Sequence, residues 1–192
     1  NQDITHVPEY RRSALGLARS FQITSVLNNF SALDNVALAV QAHTGHSFRF
    51  WSKARKAKEL REPALEILQK IGLTDRMDIP ASSLSHGEQR QLELAMALAT
   101  RPKLLLLDEP MAGMGGEESH KMVELLQDFK GTHTLVLIEH DMDAVFALAD
   151  RITVLVYGES IASDTPENIR SNPEVRKAYL GDGEALTEIE EV

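Results

Sequence analysis

The run Leu84-Ser85-His86-Gly87-Glu88-Gln89-Arg90-Gln91, followed one short helix later by Leu104-Leu105-Leu106-Leu107-Asp108-Glu109-Pro110, decides how this chain is read. The four leucines predict a strand covered on both faces, and its two terminal carboxylates stand where open α/β sheets bind their ligands. A carboxylate pair there can serve a magnesium ion and a water. Ser85 and Gly87 open a helix whose first backbone N–H groups are free to meet an anion. Each half also has a plainer reading. Ser85-x-x-Glu88 before an apolar helix is a capping box, and an acidic pair after a core strand can be a solvated turn. Neither half is specific alone.

Outward from these runs the chain divides by pattern. Downstream, strands are predicted at Lys103 to Asp108, Thr134 to Glu139 and Ile152 to Tyr157, with helices at Glu117 to Phe129 and Met142 to Ala149. This alternation predicts a parallel sheet with crossover helices. Gly158-Glu159 suits a turn into a short strand at Ser160 to Ser163, and Thr165-Pro166-Glu167 a helix start. Upstream, residues 31–100 read as helical. Leu33, Val36, Ala37 and Val40 share one helical face; Leu60, Ala64, Ile67, Leu68 and Ile71 share another within Phe48 to Gly72, where Pro63 signals a boundary or kink. The helix from Ser85 is expected to bury Leu92, Ala95, Met96 and Ala99 and to end at Arg101-Pro102. A short Arg-rich helix around Tyr10 to Ala14 precedes a strand over residues 15–22, with Gln22 at its end.

With 192 residues, 43% of them hydrophobic and 26% charged, the chain can bury one substantial core. A net charge of −9 argues against a general nucleic-acid binder, whose affinity comes mostly from neutralising phosphates. Without cysteine there is no disulfide, zinc-thiolate or thiol chemistry. No apolar run approaches the roughly 20 residues of a membrane-spanning helix. The basic and aromatic stretch from Phe48 to Lys58 could touch anionic lipid or a membrane partner, or be a solvated helix face. The acidic residues of 181–192 read as a solvated tail.

The two opening runs, with Ile138-Glu139-His140-Asp141, resemble the signature motif, Walker B motif and switch histidine of the ABC ATPase family. Gly16-Leu17-Ala18-Arg19-Ser20-Phe21-Gln22 and Asn172-Pro173-Glu174-Val175-Arg176-Lys177-Ala178-Tyr179-Leu180-Gly181 are similar, within that family, to the ATP-binding subunits of bacterial branched-chain amino acid importers. The resemblance implies an α/β fold: a RecA-like P-loop NTPase core with an inserted helical subdomain. It divides the chain into residues 1–30, part of the core with the Q-loop; 31–100, the helical subdomain ending in the signature helix; 101–180, the core with Walker B, D-loop and switch histidine; and 181–192, the tail.

The resemblance also implies roles. Asp108 would hold magnesium, with Gln22 joining its shell; Glu109 would polarise the attacking water; His140 would hydrogen-bond the γ-phosphate. Ser85, Gly87 and Glu88 would face a nucleotide held by a second ATP-binding subunit, identical or related. ATP and magnesium are the implied cofactors, and membrane permease subunits at the cytoplasmic face of the inner membrane are the implied partners, with no contact to nucleic acid or to the transported solute. Gly115 stands where a D-loop aspartate is common.

The same family places a phosphate loop, G-x-x-x-x-G-K-[ST], ahead of these motifs, and none of the 192 residues match it. Gly113-Met114-Gly115-Gly116 is followed by Glu117-Glu118, which would repel a triphosphate. A start at Asn1 makes the chain an expected back three-quarters of a longer protein, without the P-loop strand and helix, so that alone it would be inactive and poorly stable. The competing expectation is a non-catalytic fragment that keeps partner surfaces but binds no ATP.

Overall fold

The computed structural model describes residues 3–20, 25–44 and 57–180, and divides into two compact units, Asn1–Asp141 and Met142–Val192. In the first, α1 (Glu9–Ala14) leads into β1 (Leu17–Arg19) through Gly16, whose φ of +97° suits glycine. The Gly16 carbonyl accepts from the N–H groups of Lys103, at 2.7 Å, and Leu104, at 3.0 Å, and so sets the register of the strand that follows. Three helices come next, α2 (Ala32–Thr44), α3 (Lys58–Lys70) and α4 (His86–Ala99). Then β2 (Leu104–Asp108), α5 (Gly116–Lys130) and β3 (Thr134–Ile138) complete the unit. The strands form a parallel sheet in the order β1-β2-β3, with Asp108 opposite Ile138.

Leu33, Val36, Ala37 and Val40 of α2 are all buried, as are Leu60, Ala64 and Leu68 of α3 and Ile71 just beyond it. α3 continues through Pro63. On α4 the buried set is wider than one stripe: Leu92, Ala95 and Ala99 are joined by Leu94 and Leu98, while Met96 is only half-buried. A helix packed between neighbours on two sides must be apolar on both. Asn35 is fully buried and ties the approach to α2, its Oδ1 accepting from Leu27 N at 2.8 Å and its Nδ2 donating to Ser31 O at 3.0 Å.

The second unit comprises α6 (Met142–Leu148), β4 (Ile152–Val156), β5 (Glu159–Asp164), α7 (Pro166–Ser171) and α8 (Pro173–Leu180). Ile152, Val154, Ile169 and Val175 form its core. The parallel sheet expected from the alternation holds for β1 to β3, while the turn expected at Gly158-Glu159 pairs β4 with β5 as an antiparallel hairpin. The turn at Gly158 brings the chain straight back, and a hairpin closes at a far smaller loop cost than a crossover.

Full coverage of the strands fails in part. Val136 and Ile138 on β3 are 46% and 61% exposed, and Leu155 and Tyr157 at β4 are 67% and 103% exposed. Among the described residues β3 is hydrogen-bonded only to β2, and β4 only to β5. An apolar strand with an unpaired N–H and C=O row is a template for another strand. A polypeptide of residues 1–192 alone is therefore expected to self-associate and to melt without a reversible cooperative transition, read by sedimentation and calorimetry. A reversible melt of a verified 21.3 kDa monomer would be the contrary result.

Candidate functional site

Because β2 and β3 are parallel and in register at Asp108 and Ile138, the chain leaves both at the same end of the sheet. Glu109 turns out of β2 with φ at +47°, a conformation seldom adopted by residues with a side chain, and its N–H donates to Ile138 O at 2.8 Å. The residues after β3 are thereby placed beside those after β2. His140 Nδ1 lies 3.5 Å from Glu109 Oε1, with the histidine side chain 73% exposed and the glutamate 31%. A ring so placed can meet Glu109 with one nitrogen and a ligand with the other.

Asp108 sits at the end of β2 beside Arg19 of β1, its Oδ2 3.7 Å from Arg19 Nη2. Its N–H donates to Ser20 Oγ at 3.2 Å. A hard divalent cation such as magnesium commonly takes one or two protein carboxylates and fills its shell with water and phosphate oxygens, so the partly exposed Asp108 and Glu109 carboxylates suit it as a donor set. Among the described residues no group of three or more His, Asp or Glu side chains could hold a metal by itself.

Gln22 lies outside the described residues, yet both flanks of its segment are anchored. Ser20 N donates to Leu106 O at 2.9 Å on β2, and Ser25 N donates to Glu93 Oε1 at 2.5 Å on α4. Glu93 also pairs with Arg90 at 3.0 Å, and both side chains are buried.

At the start of α4 the capping box is complete. Ser85 Oγ accepts from Glu88 N at 3.1 Å, and Ser85 N donates to Glu88 Oε2 at 2.8 Å. The other oxygen of Glu88 takes Arg76 Nε at 2.8 Å, so this carboxylate is committed to shaping the helix end. From α5, Glu118 reaches across: a Cβ on Gly87 would stand 2.7 Å from its carboxyl carbon, and Ser85 Oγ donates to its Oε1 at 3.4 Å. Glycine at 87 leaves room for an anionic group hard against the helix N-terminus, and a carboxylate takes it here. Beside it lies a cavity of about 570 Å³ lined by Ser85, Gly87, Glu88, Glu118 and Lys121. His86 packs over Gly113, where an added Cβ would lie 3.2 Å from the ring.

The structure thus brings Asp108, Glu109 and His140 together at one end of the sheet and keeps Ser85, Gly87 and Glu88 as a separate group. No hydrogen bond or ion pair joins the two groups among the described residues.

A model described as ABC transporter matches residues 1–112. The high-affinity branched-chain amino acid transport ATP-binding protein BraF of Pseudomonas aeruginosa is 36% identical over 188 residues, spanning 94% of this chain and 74% of its own length. The chain belongs to the ABC transporter family. LivG of Escherichia coli, with the same description, is 36% identical over 194 residues, covering 95% of this ABC protein and 74% of that one. A second model, described as branched-chain amino acid ATP-binding cassette transporter, matches residues 159–185. Crystal structures of an ABC transporter's ATP-binding cassette, one nucleotide-free and one in its ADP conformation, superpose with TM-scores of 0.78 at 28% identity, covering 95% of this chain and 75% of theirs. The fold is accordingly that of ABC ATPases, α/β and RecA-like. No described helix of this ABC protein is long and apolar enough to cross a membrane.

Sequence reasoning passed over Glu139. Its side chain is 1% exposed, its Oε1 accepts from Met111 N at 3.1 Å, and its Oε2 accepts from His140 N at 2.9 Å and Asp141 N at 3.3 Å. The only signal in the sequence was an acid placed directly between an apolar strand and a candidate histidine. Glu118 was equally hidden, since nothing in its spacing tells that it meets Gly87.

Proposed function

We propose that this protein is the ATP-binding and ATP-hydrolysing subunit of a branched-chain amino acid importer, held at the cytoplasmic face of the inner membrane by permease subunits. The observation that carries the reading is the meeting of Glu109 and His140 at 3.5 Å, directly after a strand that ends in Asp108. The solute class is supported by the likeness to BraF and LivG, both branched-chain amino acid transport ATP-binding proteins, and by the family model matched at residues 159–185.

In this reading residues 1–30 and 101–180 serve as the catalytic core, 31–100 as the helical subdomain, and 181–192 as a tail. Asp108, with Gln22, would hold magnesium, which when bound with ATP neutralises charge on the β- and γ-phosphates. Glu109 orients the attacking water and draws its proton. His140 donates to the γ-phosphate through Nε2, the ring nitrogen that does not face Glu109. Ser85 and Gly87, with Glu88 holding the helix end, meet the nucleotide of a second ATP-binding subunit, identical or related. A phosphate arriving there must displace the Glu118 carboxylate, because two anions cannot share one helix N-terminus. The solute itself is left to the permease.

The test is Mg-ATP binding and hydrolysis by the complete protein with its permease. Turnover that rises in the assembled transporter is the expected result. A folded assembly with neither binding nor turnover would overturn the reading in favour of a non-catalytic ABC domain that retains only its partner surfaces.

A further inference from the structure

We propose that Glu139 is a positioning residue for hydrolysis: its buried carboxylate ties the backbone just beyond Glu109 to the backbone of His140 and keeps the two side chains in register. The inference rests on the ATPase reading above.

A carboxylate withdrawn from water needs compensating donors, and a side chain 1% exposed is strongly withdrawn. The compensation here comes from two separate segments. One oxygen accepts from Met111, two residues after Glu109; the other accepts from His140 and Asp141. The same second oxygen lies 3.7 Å from His140 Nδ1, so two carboxylates, Glu139 buried and Glu109 half-buried, stand at the same ring nitrogen. β2 and β3 are joined by their ladder up to Asp108 and Ile138, with one further bond from Glu109 N to Ile138 O. Beyond that point the Glu139 carboxylate links the two exits. Its two oxygens divide the work, one to each segment.

That division gives a sharp variant. Glutamine has the same shape but a single acceptor oxygen, so Glu139→Gln can hold Met111 or the His140 turn and must turn an N–H₂ group toward the other. In the complete protein, amide exchange at Met111 or at His140 and Asp141 is expected to accelerate by about tenfold or more. The kcat for ATP should fall by roughly 10- to 100-fold, as for a displaced catalytic group. The KM for ATP should stay within about twofold, since uniform binding is untouched. A residue that merely stabilises the fold would lower the melting temperature without splitting kcat from KM. If Glu139→Gln does not fold, Glu139→Asp keeps the charge on a stem too short to reach both segments and should give the same split. Wild-type kcat despite faster exchange, or unchanged exchange, overturns the proposal. Absence of turnover in the unaltered protein overturns the ATPase reading instead, and the exchange measurement then still decides whether Glu139 bridges the segments.

Discussion

Glu109→Gln is expected to leave ATP binding intact and to lower turnover by at least about 100-fold, the scale set by loss of a general base. Glutamine keeps the length and shape of the side chain, and the backbone that places it is held independently through Glu109 N and Ile138 O at 2.8 Å. The unusual φ of +47° belongs to that backbone, so an isosteric replacement adds no new strain. What disappears is the negative charge. An amide cannot take a proton from water, and its attraction for the His140 ring 3.5 Å away is far weaker. Phosphate binding has no need of the Glu109 charge and is eased by losing it. Nucleotide titration beside phosphate release separates the two effects. Unchanged hydrolysis would remove Glu109 from the mechanism, and lost binding would make it a ligand contact instead.

The parts of this site that the sequence disclosed are those written in local chemistry. Four leucines before Asp108 read directly as a buried strand, and β2 is that strand. Ser85 and Glu88 read as a capping box because both partners lie within one helical turn, and both bonds are present. The parallel pairing of β2 with β3 followed from alternation of strand and helix. What stayed hidden depends on residues brought together from afar. Glu139 meets Met111 across 28 positions, and Glu118 reaches Ser85 across 33. No periodicity encodes such contacts. The exposed faces of β3 and β4 were misjudged for a related reason: an apolar strand states what it can bury, and only its neighbours decide what it does bury. Arg90 and Glu93 look like ordinary charges on an amphipathic helix, yet both face inward.

That inward pair supports the second large expectation. Glu93→Ala should destabilise the protein by about 3–5 kcal/mol, the cost of breaking a buried ion pair by removing one partner. Glu93 holds Arg90 with one oxygen and Ser25 N with the other, so alanine withdraws the carboxylate from a buried guanidinium and from the Ser25 amide at once. In the complete protein a stability change of this size should lower the melting temperature by roughly 10 °C. Replacing both members with apolar residues, Arg90→Met with Glu93→Leu, removes the stranded charge and should recover much of the loss. The Ser25 anchor stays broken in both variants. Ser25 begins the described chain three residues beyond Gln22, and Glu93 lies two turns along the helix that starts at Ser85. Exchange at the Ser25 amide should therefore remain fast in the double variant even where the melting temperature is restored. If Glu93→Ala melts within about 2 °C of the wild type, less than 1 kcal/mol separates them and the pair contributes little to the fold. If Ser25 stays protected in the double variant, the segment carrying Gln22 is held by something other than α4.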